Sequence, residues 1–470
     1  MTVEQIYTGC LAQGAYYIES KGEVAIIDPL REVQPYINKA EANGAKIKYV
    51  FETHFHADFV SGHVTLAEKT GANIVYGPLA NPGFDAIIAE DEQIFQLGDI
   101  QIKALHTPGH TMESTTYLLI DEAGNNHAIF SGDTLFLGDV GRPDLAQKAA
   151  DMTQEDLAGL LYNSLRTKIM PLADDLTVYP AHGAGSACGK NMMKETVDTL
   201  GNQKKVNYAL RADMTREEFI QEVTDGLLPP PAYFPLNVKM NKEGYESIDT
   251  VLEKSNNALS PDAFEIAANE TGAIVLDLRH ENDFIKGFVP RSIFIGLDGS
   301  FAPWVGALIK DNAQPMLLVV EEGRLEEAVT RLSRVGFDNT IGFLKGGIEA
   351  WKAAGKELDT LTSIPATELA SVLQANPKAP VFDVRKPGEF AAEHIDGAKH
   401  TPLSTINDHL AVFPKEETFY VHCLGGYRSV IAASILKSRG YHNLVDVAGG
   451  YRAILEADIA VTDFVCPSTL

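Results

Sequence analysis

A repeat constrains the second half of this chain more than any other feature. Asp277-Leu-Arg279, followed by Phe284 and Leu297, matches Asp383-Val-Arg385, Phe390 and Leu403 without a gap, 106 positions apart. Further on, Val335-Gly-Phe337 and Gly346-Gly347 match Arg439-Gly-Tyr441 and Gly449-Gly450, at spacings of 104 and 103. Each copy reads strand, loop, strand, helix, strand. That order predicts two small doubly wound parallel α/β domains, each of roughly 100 residues. The expected ranges are 260–357 and 362–470, with the joint between Gly355 and Thr362.

The preceding block, 1–245, mixes β-rich runs with helical spacing. Val24–Ile27, Ile47–Phe51, Ile102–Leu105, Tyr117–Ile120, His127–Phe130 and Leu176–Tyr179 read as strands, and Asp151–Met170 as helix. Prolines 229–231 mark the way out, and the polar stretch 246–259 reads as a linker or a peripheral helix.

Four of these strands end in side chains that bind metals. Ile47–Phe51 leads into Thr53-His54-Phe55-His56-Ala57-Asp58, and Ile102–Leu105 into His106-Thr-Pro-Gly-His110. His127–Phe130 leads into Ser131-Gly-Asp133, and Leu176–Tyr179 into Pro180-Ala-His182. Strands lying side by side bring these imidazoles and carboxylates to one sheet edge, where they suit Zn, Fe or Mn. The lack of clustered cysteines disfavours a structural zinc site. His63 and His106 read as loop or helix-surface residues.

The first motif resembles the H-x-H-x-D-H of the metallo-β-lactamase superfamily, with Phe59 in place of the last histidine, and the resemblance covers 1–240. It implies an αββα fold. In dinuclear members such as glyoxalase II the last histidine ligates a second metal, and phenylalanine cannot. Within the superfamily the chain is most similar to persulfide dioxygenases, which hold one ferrous iron by two histidines and an aspartate. Carried over by motif, the ligands are His54, His110 and Asp133, with Fe(II) at one per chain. His56, Asp58, His182 and Cys188 would then lie around these ligands and orient them. Gly141-Arg142-Pro-Asp144 resembles the segment carrying a substrate-side arginine. That implies that Arg142 binds a cosubstrate carboxylate, while a structural ion pair is the alternative. Cys188, six residues after His182, reads either as a thiol at the metal mouth that accepts sulfur or as an inert buried one.

The last repeat carries a second reactive element. Phe419–His422 reads as a strand, followed by Cys423-Leu424-Gly425-Gly426-Tyr427-Arg428-Ser429 and an apolar helix. A thiolate at a strand-to-helix turn is stabilised by backbone N–H groups and the helix N-terminus, and the glycines let the backbone curl around an anion. With Asp383-Val-Arg385, His394-Ile-Asp-Gly-Ala398 and Gly449-Gly450, the loop resembles a rhodanese. The six positions from Cys423 to Arg428 match sulfurtransferases, whereas related phosphatases use seven. The resemblance implies Cys423 as nucleophile, Arg428 as its charge partner, and Leu424, Gly425, Gly426, Tyr427 and Ser429 as the substrate-binding loop. Asp383 and Arg385 read as structural. The first copy continues Leu317–Val320 with Glu321-Glu-Gly-Arg324 and no cysteine, a loop expected to be about two residues shorter. It reads as a non-catalytic spacer or docking surface.

Lys and Arg total 39 against 64 Asp and Glu, a net charge of −25 that argues against nucleic acid or an anionic membrane as partner. No apolar run approaches the ~18 residues of a membrane span, and Met1–Cys10 has no signal-peptide character. Cys10, Cys188, Cys423 and Cys466 are too few for a disulfide framework, so a cytoplasmic location is expected. Homo-oligomerisation is left open. The combined features imply an Fe(II) persulfide dioxygenase coupled to a sulfurtransferase. Its small-molecule partners would be glutathione persulfide or a similar thiol persulfide, O₂, and sulfite or thiosulfate. The alternatives are a zinc thioester hydrolase resembling glyoxalase II with an attached sulfurtransferase, and a non-enzymatic sulfur carrier.

Overall fold

In the strand Gln13–Ser20, Ala15 and Tyr17 face one way and Tyr16 and Ile18 the other, and all four are buried. A strand covered on both faces belongs inside a layered structure. The computed structural model, which describes residues 1–466, shows those layers. One sheet takes its strands in chain order: β1 (Thr2–Thr8), β2 (Gln13–Ser20), β3 (Glu23–Ile27), β4 (Lys46–Phe51), β5 (Asn73–Tyr76) and β6 (Ile87–Ile88). A second is built from β7 (Ile94–Leu97), β8 (Ile100–His106), β9 (Thr115–Ile120), β10 (Asn126–Gly132), β11 (Thr177–Pro180) and β12 (Asp198–Thr199), ordered β12-β11-β10-β9-β8-β7.

Tyr16, Ile27 and Phe51 of the first sheet pack against Phe95, Tyr117 and Phe130 of the second. The opposite face of the first sheet is covered through Tyr36 and Leu66 of the helices Gln34–Ala42 and His63–Thr70. The outer face of the second meets Leu161 and Phe219 of the helices Gln154–Ser164 and Arg216–Thr224. The result is the expected αββα sandwich, and the expected strands and the 151–170 helix are found within a few residues.

The chain divides into two compact units: Met1–Thr250 with Ser333–Gly336, and Val251–Leu332 with the chain from Phe337 onward. The expected linker is not extended chain. Ile248–Ser255 is a helix, and Ala258–Leu259 is the first strand of the next sheet. No helix among the described residues is long and apolar enough to cross a membrane.

The second unit holds two five-stranded parallel sheets of one topology. β13 (Ala258–Leu259), β14 (Ile274–Asp277), β15 (Ile293–Phe294), β16 (Met316–Val319) and β17 (Thr340–Leu344) are ordered β13-β17-β16-β14-β15. β18 (Ser363–Pro365), β19 (Val381–Asp383), β20 (Lys399–His400), β21 (Phe419–His422) and β22 (Leu444–Ala448) are ordered β18-β22-β21-β19-β20. The last four residues of the expected 362–470 range lie outside the described residues.

Strand register corrects the expected shortening of the first copy's loop. Val319 pairs with Asp277 as His422 pairs with Asp383, so Val320 stands where the second copy has Cys423. The stretch from there to the helix is Val320–Arg324 in the first copy and Cys423–Gly426 in the second, so the first is not shorter. The helix that follows is shorter, Leu325–Ser333 at 9 residues against Tyr427–Ser438 at 12.

Candidate metal centre and cysteine loop

Parallel pairing of β3 with β4 and of β10 with β11 sends the ends of each pair the same way. Asp133 receives the convergence. Its Oδ2 lies 3.8 Å from His54 Nε2 and 3.4 Å from His110 Nε2, with all three side chains buried. Neither Asp133 oxygen has a hydrogen-bond partner among the described residues. An unsolvated carboxylate is costly unless a cation faces it.

The two histidines are set to present lone pairs. His110 Nδ1 is 2.8 Å from the Arg142 carbonyl, which only accepts, so Nδ1 carries the proton and Nε2 is left free. The Thr53 hydroxyl donates its single proton to Asp28 Oδ2 at 2.8 Å. It must therefore accept from His54 Nδ1, 3.0 Å away, which leaves His54 in the same tautomer. Burial and then the neighbouring imidazoles hold the His54 pKa well below its usual range, which favours the neutral ligand form.

His56 is engaged elsewhere. Its Nε2 forms an ion pair with Asp28 Oδ1 at 3.0 Å and lies 3.6 Å from Glu52 Oε2. Burial lowers its pKa, but Asp28 and then Glu52 outweigh burial and raise it to about 9. Glu52 is itself pushed well above the carboxylate range by burial and then by Asp28, and it accepts from Ser61 Oγ at 2.6 Å. The Phe59 ring lies over His56 at 4.4 Å. On the other side of Asp133, His182 Nε2 is 3.4 Å from Asp58 Oδ2 and 3.6 Å from Asp133 Oδ1. Cys188 is buried there, with its sulfur and the donor atoms of Asp133 and His182 within 4.8 Å of one another. Burial, then Asp58 and Asp133, push its thiol well up.

In the second unit β21 ends at a tight loop. The Gly426 N–H donates to Cys423 Sγ at 3.1 Å, and Gly426 adopts φ +109°, a conformation that favours glycine. Gly449 and Gly450 turn beneath the loop, and the Tyr451 N–H donates to the Cys423 carbonyl at 2.6 Å. A Cβ on Gly450 would lie 2.5 Å from that carbonyl oxygen. Arg428 grips Glu389 with two bonds of 2.6 and 2.8 Å. The Ser429 hydroxyl donates to buried Asp446 at 2.6 Å, and burial pushes the Asp446 carboxyl up to about 6. At the loop base Arg385 Nη2 donates to Asp383 at 2.6 Å, as Arg279 does to Asp277.

Comparison with known proteins accounts for both regions. The metallo-beta-lactamase superfamily profile matches residues 8–182, and the rhodanese-like domain profile matches 260–354 and 366–457. A metallo-beta-lactamase of solved structure from Staphylococcus aureus subsp. aureus COL is 30% identical with a TM-score of 0.64, over 73% of this chain and 98% of that one. The chain belongs to the metallo-β-lactamase superfamily and carries two rhodanese-like domains. Mitochondrial persulfide dioxygenase ETHE1 of Homo sapiens is 29% identical to it over 222 residues, 47% of this chain and 78% of the human one. Cytoplasmic hydroxyacylglutathione hydrolase of Arabidopsis thaliana is 32% identical over 178 residues, 37% of this chain. The match spans 65% of that hydrolase, just under two thirds of its length.

Several residues of the metallo-β-lactamase region sit differently from expectation. Of the two readings of Arg142 the structure shows the ion pair: Nε and Nη2 each bond Asp144 at 2.7 Å, and Nη1 reaches the Ala187 carbonyl at 3.2 Å. Its contribution is the carbonyl that orients His110. His63 is fully buried at a helix start, 3.7 Å from Glu52, instead of lying at the surface. Burial and then His56 hold it neutral, with a pKa of about 3. His106 is the half-buried last residue of β8, paired with Thr115 and bonded to the Met112 carbonyl at 2.8 Å, instead of a loop or helix-surface residue. Asp28, Glu52 and Thr53 went unrecognised in the sequence. Asp28 follows β3 directly, so the strand-end pattern that found the others would have found it too.

In the rhodanese-like repeats, Arg428 is balanced by Glu389 instead of offering a bare charge to the sulfur. The Ser429 hydroxyl is turned inward, with the Gly426 carbonyl and Asp446 as its partners. Leu424 and Gly425 line the Cys423 cavity, and Tyr427 points its hydroxyl at the Gly296 carbonyl.

Proposed function

We propose that the chain is a mononuclear Fe(II) persulfide dioxygenase coupled to a sulfurtransferase that works through Cys423. The observation that carries this reading is the donor set. Two imidazole lone pairs and one unpartnered carboxylate face one another, while His56 is drawn off by Asp28 and position 59 is a phenyl ring. His54, His110 and Asp133 would hold the ion. When bound there, Fe(II) supplies open coordination positions for a persulfide sulfur and O₂, and electrons for oxygen activation.

The protein's own part is orientation and exclusion. The Arg142 carbonyl and the Asp28–Thr53 pair fix the two imidazoles, and the buried lining keeps bulk water out. His182 and Asp58 stand beside Asp133 as groups that can hold or pass a proton. The overall change is R–S–SH + O₂ + H₂O giving R–SH, sulfite and two protons. At Cys423, thiosulfate and the thiolate give Cys423–S–S⁻ and sulfite. The S–S bond of thiosulfate breaks as the new one forms, without net oxidation. The reverse direction forms thiosulfate from the sulfite released by the first site.

The paired Asp58 and His182, 3.4 Å apart, favour one rival, a zinc thioester hydrolase. Metal analysis of anaerobically prepared protein with an oxygen electrode separates the two. The proposal expects about one iron per chain and O₂ uptake only with a thiol persulfide. His110→Ala should abolish uptake and retain sulfur transfer from thiosulfate. Thioester turnover by a zinc-loaded chain without O₂ would overturn the proposal.

A further inference from the structure

We propose that the first rhodanese-like repeat is a working part of the Cys423 site, where it selects an organic, carboxylate-bearing thiol as the partner in sulfur exchange. This rests on the reading of Cys423 as the sulfur-carrying thiolate.

The cavity over Cys423 has walls from both repeats. Ser300 and Trp304 of the first face Lys386, Leu424, Arg428 and Arg452 of the second around roughly 520 Å³. That volume is in the range of sites for organic ligands and far exceeds a five-atom oxyanion. Trp304 sits on the helix Phe301–Leu308, whose Phe301, Val305 and Leu308 are buried. Its half-buried indole is thus held by a rigid element, and its N–H has no partner among the described residues.

The first repeat also grips the cysteine loop. The Tyr427 hydroxyl donates to the Gly296 carbonyl at 2.8 Å. A Cβ on Gly299 would come within 2.3 Å of the Tyr427 ring, so only glycine leaves room for it there. Phe294 meets the same ring edge-on at 5.8 Å. The residue that opens the catalytic helix is therefore seated in a socket of the cysteine-free repeat.

Charge names the ligand class. Arg428 is neutralised by Glu389, but Lys386 and Arg452, exposed at the cavity, form no ion pair among the described residues. Two uncompensated cations at a cavity of a chain of net charge −25 select an anion. An organic thiol with carboxylates satisfies all three features, with its sulfur at Cys423, its chain on Trp304 and its carboxylates at Lys386 and Arg452. The transfer is Cys423–S–S⁻ + R–SH giving Cys423–S⁻ + R–S–SH. The thiol sulfur bonds the outer sulfur, the Cys423 S–S bond breaks, and the proton stays with the new persulfide.

The test loads Cys423 from thiosulfate in the full chain and measures kcat/KM for three acceptors: glutathione, 2-mercaptoethanol and cyanide. Trp304→Ala should lower the glutathione-to-cyanide ratio about tenfold, chiefly through KM, and Trp304→Phe should restore most of it. Lys386→Ala combined with Arg452→Ala, both at the surface, should lower the glutathione-to-2-mercaptoethanol ratio on the order of tenfold. Unchanged ratios in both sets overturn the inference while leaving the sulfurtransferase reading intact. If mass spectrometry shows no added sulfur on Cys423 of the unaltered chain, that reading fails, and the inference fails with it.

Discussion

The two rhodanese-like repeats share strand order, an Asp–Arg pair at the same loop base and a left-handed Gly-Gly turn, yet only one carries a thiol. Val320 occupies the register position of Cys423, and Phe343 occupies that of Asp446. Even the arginines part company. Arg324 bonds Asp298 and Glu327 at the surface, whereas Arg428 bonds Glu389 beside the sulfur. Asp277–Arg279 and Gly346–Gly347 persist in a repeat whose loop has no cysteine, so these features maintain the fold. The chemistry belongs to what differs.

The sharpest way to break this contrast is to move the thiol. Cys423→Ser should lower thiosulfate-to-thiol transfer by at least ~10³-fold. Adding Val320→Cys to that variant should restore nothing, because Glu321 and Glu322 follow it where the active loop has Leu424 and Gly425. Transfer by the double variant would show that the first loop also stabilises a thiolate.

A second difference should be visible in pH dependence. The Asp446 carboxyl sits at about 6 in the folded chain, against an ordinary 3.8. Between those values the folded state keeps a proton that the unfolded state has released, so stability falls as pH rises through that window. The fall is up to about 3 kcal/mol and levels off above the folded value. Hydrogen exchange in β22, corrected for intrinsic rates, should show this decline in the native chain and lose it in Asp446→Asn. β17, with Phe343, should show none in either.

The smallest effect compares the glycines. Gly347 and Gly450 adopt φ of +57° and +58°, so alanine at either should cost about 1 kcal/mol. At Gly347 the nearest atom to an added Cβ is 3.9 Å away, whereas at Gly450 the Cys423 carbonyl oxygen is at 2.5 Å. Gly450→Ala should therefore also slow transfer several-fold, and Gly347→Ala should not. Equal transfer rates in the two variants would mean that the turn does not shape the loop.

Much of this architecture was readable in advance because it rests on local patterns. Apolar runs ending in His54, His110, Asp133 and His182 announced a sheet edge, and the repeated Asp-x-Arg and Gly-Gly announced two similar domains. The misreadings concern partners far apart in sequence. The pairing of Arg428 with Glu389 and the burial of His63 against Glu52 depend on packing that residue type cannot reveal, whereas Arg142 took the ion-pair alternative with Asp144, two residues on. The loop length was misjudged because a changing repeat spacing does not say where residues were gained or lost. Strand pairing shows that the spacing has already fallen from 106 to 103 at Val319 and His422, so the first copy is longer ahead of β16 and only one residue shorter between Val320 and Val335.

The Phe59 ring lies 4.4 Å from that of His56 and 6.5 Å from that of His182, whose donor atoms lie within 4.8 Å of each other and of Asp58, so a histidine at position 59 would add an imidazole to three possible ligands already together. A single aromatic ring at position 59 is thus what keeps this group from gaining a further ligand.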